Sequence, residues 1–279
     1  MDEHVHTSAE DEHDNAYAGL LVNDSHWAFG TDFEDPLAGV DTTLPEGVDA
    51  PTLAAYALML GDDALVMSHR ISEWTSNAPD LEDDIALSNI ALDLLGQARL
   101  LLARAAKADA SVVPDLPEGS PAPPEDALAF FREAHELRNV RLAELVNGDF
   151  AEATVRVLLF SVWRLATFER LRTSRDHVLA AVAAKGVKEL AYHRDYAARW
   201  FVTLAQGTEE SRRRLVAALD ALGDRRVDAG QRVLEIGAEG PVRVVDEQPA
   251  VGAVVVVLGR GVNVVVSHRY MWGTLSGMS

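Results

Sequence analysis

The chain has 279 residues and is 48% hydrophobic, enough for one large core or two modest ones. It has no cysteine, which excludes disulfides, thiolate-bound zinc or haem, iron–sulfur clusters and cysteine nucleophiles, and fits a reducing compartment. Its 44 acidic residues against 25 basic ones leave a net charge of −19, so neither nucleic acid nor a membrane is an expected partner.

Residues 1–50 carry thirteen acidic side chains and no Lys or Arg. They read as a mostly disordered acidic lead-in with turn formers and little periodicity. A secretory signal would need a basic start and an apolar run, and neither is present. No apolar stretch reaches the ~18–20 residues of a membrane span, so a cytoplasmic location is expected. Lysines number only three against 22 arginines, a bias of the kind a GC-rich genome produces.

Helical patterning starts at Pro51, with Leu53, Tyr56, Leu60, Ala64, Met67, Ile71 and Trp74 at three- and four-residue steps. Asn77-Ala78-Pro79 ends that helix, and Asp80 is the predicted N-cap of the next. This second helix is apolar around most of its circumference from Ile85 to Leu102, which predicts burial between other helices. Residues 108–124 contain five prolines and read as a linker. A third helix is expected from Glu125 to Val146, a fourth from Phe150 to Arg172, and a fifth from Asp176 to Leu204. Thr208 should cap a sixth ending at Gly223. Long helices with short breaks and no strand pattern predict an all-α antiparallel bundle over residues 51–222.

After that the character changes. Residues 223–279 hold 14 valines and nine glycines, with six acidic and six basic residues, so the whole net charge belongs to residues 1–222. Val254–Leu258 and Val262–Val266 read as short strands, too few for an independent sheet. A divergent tail and a frameshift near Gly223 are both open readings of this segment, and resequencing the coding DNA separates them.

An acidic helical bundle raises the question of a di-metal carboxylate centre, in which Glu-x-x-His pairs put carboxylate and imidazole on one inward helix face. Literal matches occur at Glu3/His6 and Glu10/His13, both in the lead-in, where no helix is predicted. Within the helices the pattern fails: His69, His135 and His177 lack a Glu three residues earlier, and His193 has Leu190 there and Glu189 at four. Glu189 and His193 are therefore read first as a structural polar pair. Asn89, Asp93, Gln97, Arg99, Arg156 and Glu169 recur at buried-looking positions and should pair across the bundle. Gly259-Arg260-Gly261 lacks the helix that a nucleotide-binding loop requires.

Ser72-Glu73-Trp74, the run Ala78–Leu102, Asn147-Gly148-Asp149-Phe150, Val187–His193 and Thr208–Leu222 together resemble the C subunits of ring-1,2-phenylacetyl-CoA epoxidases, over residues 50–222. The resemblance implies a ferritin-like bundle and a non-catalytic structural subunit of a multicomponent bacterial oxygenase that acts on phenylacetyl-CoA in aerobic phenylacetate breakdown. Its implied partners are a catalytic A subunit holding the di-iron centre, a small B subunit, and a reductase with FAD, a 2Fe-2S cluster and NADPH. No cofactor is then expected on this chain.

Set against the ligand pattern of the catalytic A subunit, the corresponding positions fall on Ala64, Leu94, Gln97, Ser161, Leu190 and His193, a degenerate set. A buried polar network of Glu73, Asp93, Gln97, Arg99, Glu169, Glu189 and His193 is the matching expectation. Two other readings stay open at this point: a di-metal oxidase with atypical ligands from Glu73, Asp93, Glu169, Glu189 and His193, and a free-standing helical adaptor. Residues 223–279 depart from the family pattern.

Overall fold

The computed structural model describes residue 35, residues 37–223 and the backbone of four strands between residues 231 and 267. The four longest helices are α1 (Ala50–Ser72), α2 (Leu81–Ala108), α5 (Phe150–Leu171) and α6 (His177–Gln206); α7 (Glu209–Gly223) follows, and two short helices, α3 (Pro124–Phe130) and α4 (Arg141–Glu144), lie between the pairs. α1 packs along α2, α5 along α6, and the two pairs meet through α2 and α6.

Local chemistry starts each long helix. The side chains of Asp49, Asp80, Asp149 and Asp176 accept from backbone N–H groups in the first turns of α1, α2, α5 and α6. Thr208 does the same for α7, its Oγ1 accepting from Ser211 N at 3.1 Å. These boundaries agree with the predicted ones to within a few residues. Between α1 and α2, Ser76 has φ 68°, and its N–H donates to Asp84 at 2.6 Å.

The predicted third helix is not continuous. Residues 124–146 form α3, a 3-10 turn at Ala134–Glu136 and α4, joined by extended backbone. Two buried carboxylates on α1 account for this. Asp62 accepts from Arg132 Nη1 at 3.0 Å and Nη2 at 2.5 Å, and from Arg138 N at 2.8 Å. Asp63 accepts from Val140 N at 2.6 Å. Backbone donors that a continuous helix would spend on its own ladder go instead to charged acceptors, which bind them more strongly.

Two further expectations are corrected. The end of the lead-in is folded: Leu37 is buried in the core, the Thr42 carbonyl accepts from Arg104 Nη1 at 2.7 Å, and Asp35 pairs with Lys107 at 3.2 Å. The rest of it, with Glu3/His6 and Glu10/His13, lies outside the described residues. Second, α2 is not buried all round. Leu87, Ile90, Leu94, Leu101 and Leu102 are core residues, yet Leu81, Ile85, Leu92 and Leu95 are 68%, 53%, 63% and 41% exposed on another face. By length and composition alone α2 is apolar enough to cross a bilayer, although one of its faces is buried in the bundle core.

Beyond Gly223, four strands form one sheet in the order β2-β1-β3-β4: β1 (Gln231–Ile236), β2 (Arg243–Val245), β3 (Ala253–Leu258) and β4 (Val262–Ser267). β1 and β3 are parallel, with Gln231 opposite Ala253, and the outer pairings are antiparallel. The two strands expected from sequence are β3 and β4; β1 and β2 complete the sheet that they could not form alone.

Candidate functional site

The six positions at which metal ligands would fall all lie in the interior. Ala64 on α1, Leu94 and Gln97 on α2, Ser161 on α5, and Leu190 and His193 on α6 are each 2% exposed or less. On α2 and on α6 the two positions are three residues apart, which puts each pair on one helix face. One of these residues, Gln97, is bonded to a buried guanidinium.

Arg164 lies one turn after Ser161 and is fully buried. Its Nε donates to Gln97 Oε1 at 2.9 Å and its Nη1 to the Leu60 carbonyl at 3.1 Å, while Nη2 has no partner. The Leu60 carbonyl is the one that closes the helical turn at Ala64. The guanidinium lies 4.5 Å from the centre of the Phe168 ring and 5.8 Å from that of Phe160, close enough for cation–π attraction. Burial lowers its pKa to about 10, opposed by the negative charge of Asp63 and Glu189, so it stays a cation near neutrality. Burial likewise pushes the Tyr56 phenol up to about 12, with Asp63 adding to the effect and Arg164 opposing it.

Gln97 links this cation to α6. Its Nε2 donates to Glu189 Oε2 at 2.8 Å, and Glu189 also pairs with Lys185 at 3.4 Å. One turn on, His193 Nε2 lies 3.0 Å from Asp93 Oδ2, and its Nδ1 has no partner. Burial lowers the His193 pKa, and the Asp93 hydrogen bond offsets part of that. A neutral imidazole facing a carboxylate through Nε2 must carry its proton there. Glu189 and His193 thus share a helix but take different partners on α2, rather than forming the pair read from their spacing.

The expected polar network is only partly assembled. Asp93, Gln97, Glu189 and His193 come together. Glu73 instead lies at the end of α1, paired with Arg70 at 2.9 Å and with Asn147 Nδ2 at 2.9 Å. Arg99 is half-exposed and faces Glu125 at 3.6 Å, and Glu169 is an exposed partner of Arg172 at 3.0 Å. Asn89 is exposed. Arg156 is buried as expected, bonded to the Leu145 carbonyl and Asn147 Oδ1, and burial lowers its pKa to about 10. Sequence reasoning missed Arg164. The available signal was a single charge inside the apolar run Val157–Phe168, on the same face as Phe160 and Phe168.

Together these features test the fit of a di-iron pair. Ala64, Leu94 and Leu190 have no donor atoms, and iron of this kind takes carboxylate and imidazole ligands. A fixed guanidinium among the four helices repels a divalent ion at short range in a low dielectric. Among the described residues no group of three or more His, Asp or Glu side chains could hold a metal ion. The residues do not fit a di-iron centre.

Comparison with known proteins supplies the family. The phenylacetic acid catabolic protein family matches residues 40–223. The chain belongs to this family. Its ferritin-like helical bundle is that of the family, and the resemblance read from the sequence holds. The C subunit of 1,2-phenylacetyl-CoA epoxidase from Escherichia coli (strain K12) is 43% identical over 170 residues, which cover 61% of this chain and 64% of that protein. The match therefore spans less than two thirds of the relative's length.

Proposed function

We propose that this chain is a structural, non-catalytic subunit of a multicomponent di-iron oxygenase that epoxidises the ring of phenylacetyl-CoA, and that it scaffolds the catalytic A subunit. The supporting observation is Arg164, a buried cation bonded to the Leu60 carbonyl and to Gln97, one of the degenerate ligand positions. Similarity to an epoxidase C subunit supports the heteromeric setting. On this reading the di-iron centre belongs to the catalytic subunit, and FAD, the 2Fe-2S cluster and NADPH to the reductase; the small B subunit joins them in a cytoplasmic complex. The di-metal alternative would need Glu73 and Glu169 to converge on His193, whereas each has an arginine partner of its own elsewhere.

Iron, manganese and zinc per chain, measured by mass spectrometry, test the proposal. Residues 1–34 should first be removed, because His4, His6, His13 and His26 could bind metal adventitiously. Near-zero metal, together with co-purification of the catalytic subunit, is the expected result. Two irons per chain would overturn it.

A further inference from the structure

At one end of the bundle a cavity of about 320 Å³ opens between the start of α1, the end of α5 and the start of α6. Most of its lining is apolar. Leu53 and Leu179 are core residues, and Val48, Tyr56 and Leu171 are half-buried around them. Tyr56 contributes its ring; its phenol, pushed up to about 12 chiefly by burial, stays uncharged.

Thr52, Ser174 and Asp176 also line the cavity, but their polar atoms are already committed. Thr52 Oγ1 donates to Asp49 Oδ2 at 2.6 Å, and Ser174 Oγ accepts from Asp176 N at 3.2 Å. Asp176 Oδ1 accepts from Leu179 N at 2.9 Å and Oδ2 from Arg104 Nε at 3.0 Å, so a buried guanidinium meets its charge. Arg175 differs. Its side chain pairs with no carboxylate among the described residues and reaches only the Glu46 carbonyl, at 3.5 Å, the outer limit of a hydrogen bond. The cavity thus joins an apolar interior to one exposed cation whose hydrogen bonds are still to be made.

That pairing selects its ligand. A guanidinium fork matches a carboxylate through two parallel hydrogen bonds, and the apolar lining stabilises whatever hydrocarbon the carboxylate carries by removing it from water. A cationic ligand would meet Arg175 with no uncommitted carboxylate in the lining to offset it. At about 30 Å³ per water-sized group, the volume admits on the order of ten non-hydrogen atoms.

We propose that this cavity is a binding site for a free organic carboxylate of about ten non-hydrogen atoms, with the carboxylate on Arg175 and the apolar body against Leu53, Tyr56 and Leu179. The site is built by this chain alone and does not depend on the heteromeric reading above.

The test titrates the full chain with sodium octanoate at fixed ionic strength, following the methyl signals of Leu53 and Leu179 by NMR. A saturating shift is expected at about millimolar concentration, as for a fragment of this size. Octylammonium has the same body and the opposite charge. It should bind about tenfold more weakly or worse, although the net charge of −19 attracts it at long range. Arg175→Gln, made at an exposed position, should weaken octanoate binding about tenfold through the loss of a charge-assisted contact, and Arg175→Lys should restore part of it. Val48→Trp should fill the mouth and abolish binding, with a melting curve to show that the chain is folded. A shift that does not saturate, octylammonium binding as tight as octanoate, or an affinity unchanged in Arg175→Gln each overturns the proposal. Unchanged binding in a folded Val48→Trp overturns it as well, because octanoate would then sit elsewhere. If Val48→Trp does not fold, Arg175→Gln decides.

Discussion

Arg164 reaches Gln97 on α2 and the Leu60 carbonyl on α1 from α5, so three helices share one side chain. Removing it leaves Gln97 Oε1 and the Leu60 carbonyl without that donor and takes away a cation whose charge Asp63 and Glu189 oppose. Arg164→Leu should therefore cost about 1–3 kcal/mol, the range for leaving buried acceptors without a donor, read from urea unfolding. Arg164→Lys keeps the charge but loses the fork, and should recover only part of that. A leucine variant as stable as the parent would show that the bundle does not need the cation. His193 makes a pH-dependent contribution. Burial holds its pKa below the 6.5 of a free imidazole, so the native ring stays neutral while the unfolded one takes up a proton. The contribution is complete above the unfolded pKa and declines as the pH falls below it. The stability difference between the parent and His193→Gln should accordingly shrink between about pH 7.5 and 5.5. A difference that does not change with pH would mean that the ring is protonated in both states or in neither.

Among the elements, the α5–α6 contact depends on a close approach at Gly186. A Cβ there would lie 2.6 Å from Phe168 Cε2 and 3.3 Å from Gln97 Nε2, against the ring that supports the Arg164 guanidinium. Alanine is the better helix former by up to about 1 kcal/mol, but overpacking a filled core costs about 1–3 kcal/mol. Gly186→Ala should thus lower the thermal midpoint, and a raised midpoint would mean that Phe168 gives way freely. The other end of α6 is tied differently. Asp176 caps the helix through Leu179 N at 2.9 Å and accepts from Arg104 Nε at 3.0 Å, while Arg104 also holds the Thr42 carbonyl. One buried ion pair thereby joins α2, the start of α6 and the segment before α1.

At the scale of the whole molecule, the uneven feature is α2, with one face in the core and Leu81, Ile85, Leu92 and Leu95 outside it. Exposed apolar side chains gathered on one face of a helix suit a contact site. Leu92, at 63% exposed, offers the cleanest test. Leu92→Glu should leave the melting curve within about 0.5 kcal/mol of the parent, as surface substitutions do. The same change should abolish co-purification with the catalytic subunit, because a charge would be buried there without a partner. Retained co-purification would move the interface to another face.

The local grammar of this chain was legible from its residues. Asp80 and Thr208 could be read as helix caps because a short oxygen-bearing side chain meets N–H groups three residues away; Asp49, Asp149 and Asp176 act by the same chemistry at starts that were placed within two residues without naming the cap. That Ala64, Leu94 and Leu190 offer no side-chain ligand was equally plain, since side chains without donor atoms cannot coordinate a metal in any fold. Tertiary structure alone decided what lies beside them. The partners of Arg164 lie 67 and 104 residues away in sequence, beyond the reach of any periodicity argument. Asp62 and Asp63 broke the expected third helix from 70 or more residues away, by capturing its donors. Hydrophobic periodicity says that a side chain prefers to leave water. Which neighbour removes it, and whether any neighbour does, depends on packing between helices, and so α2 could be read as apolar all round but not as half uncovered.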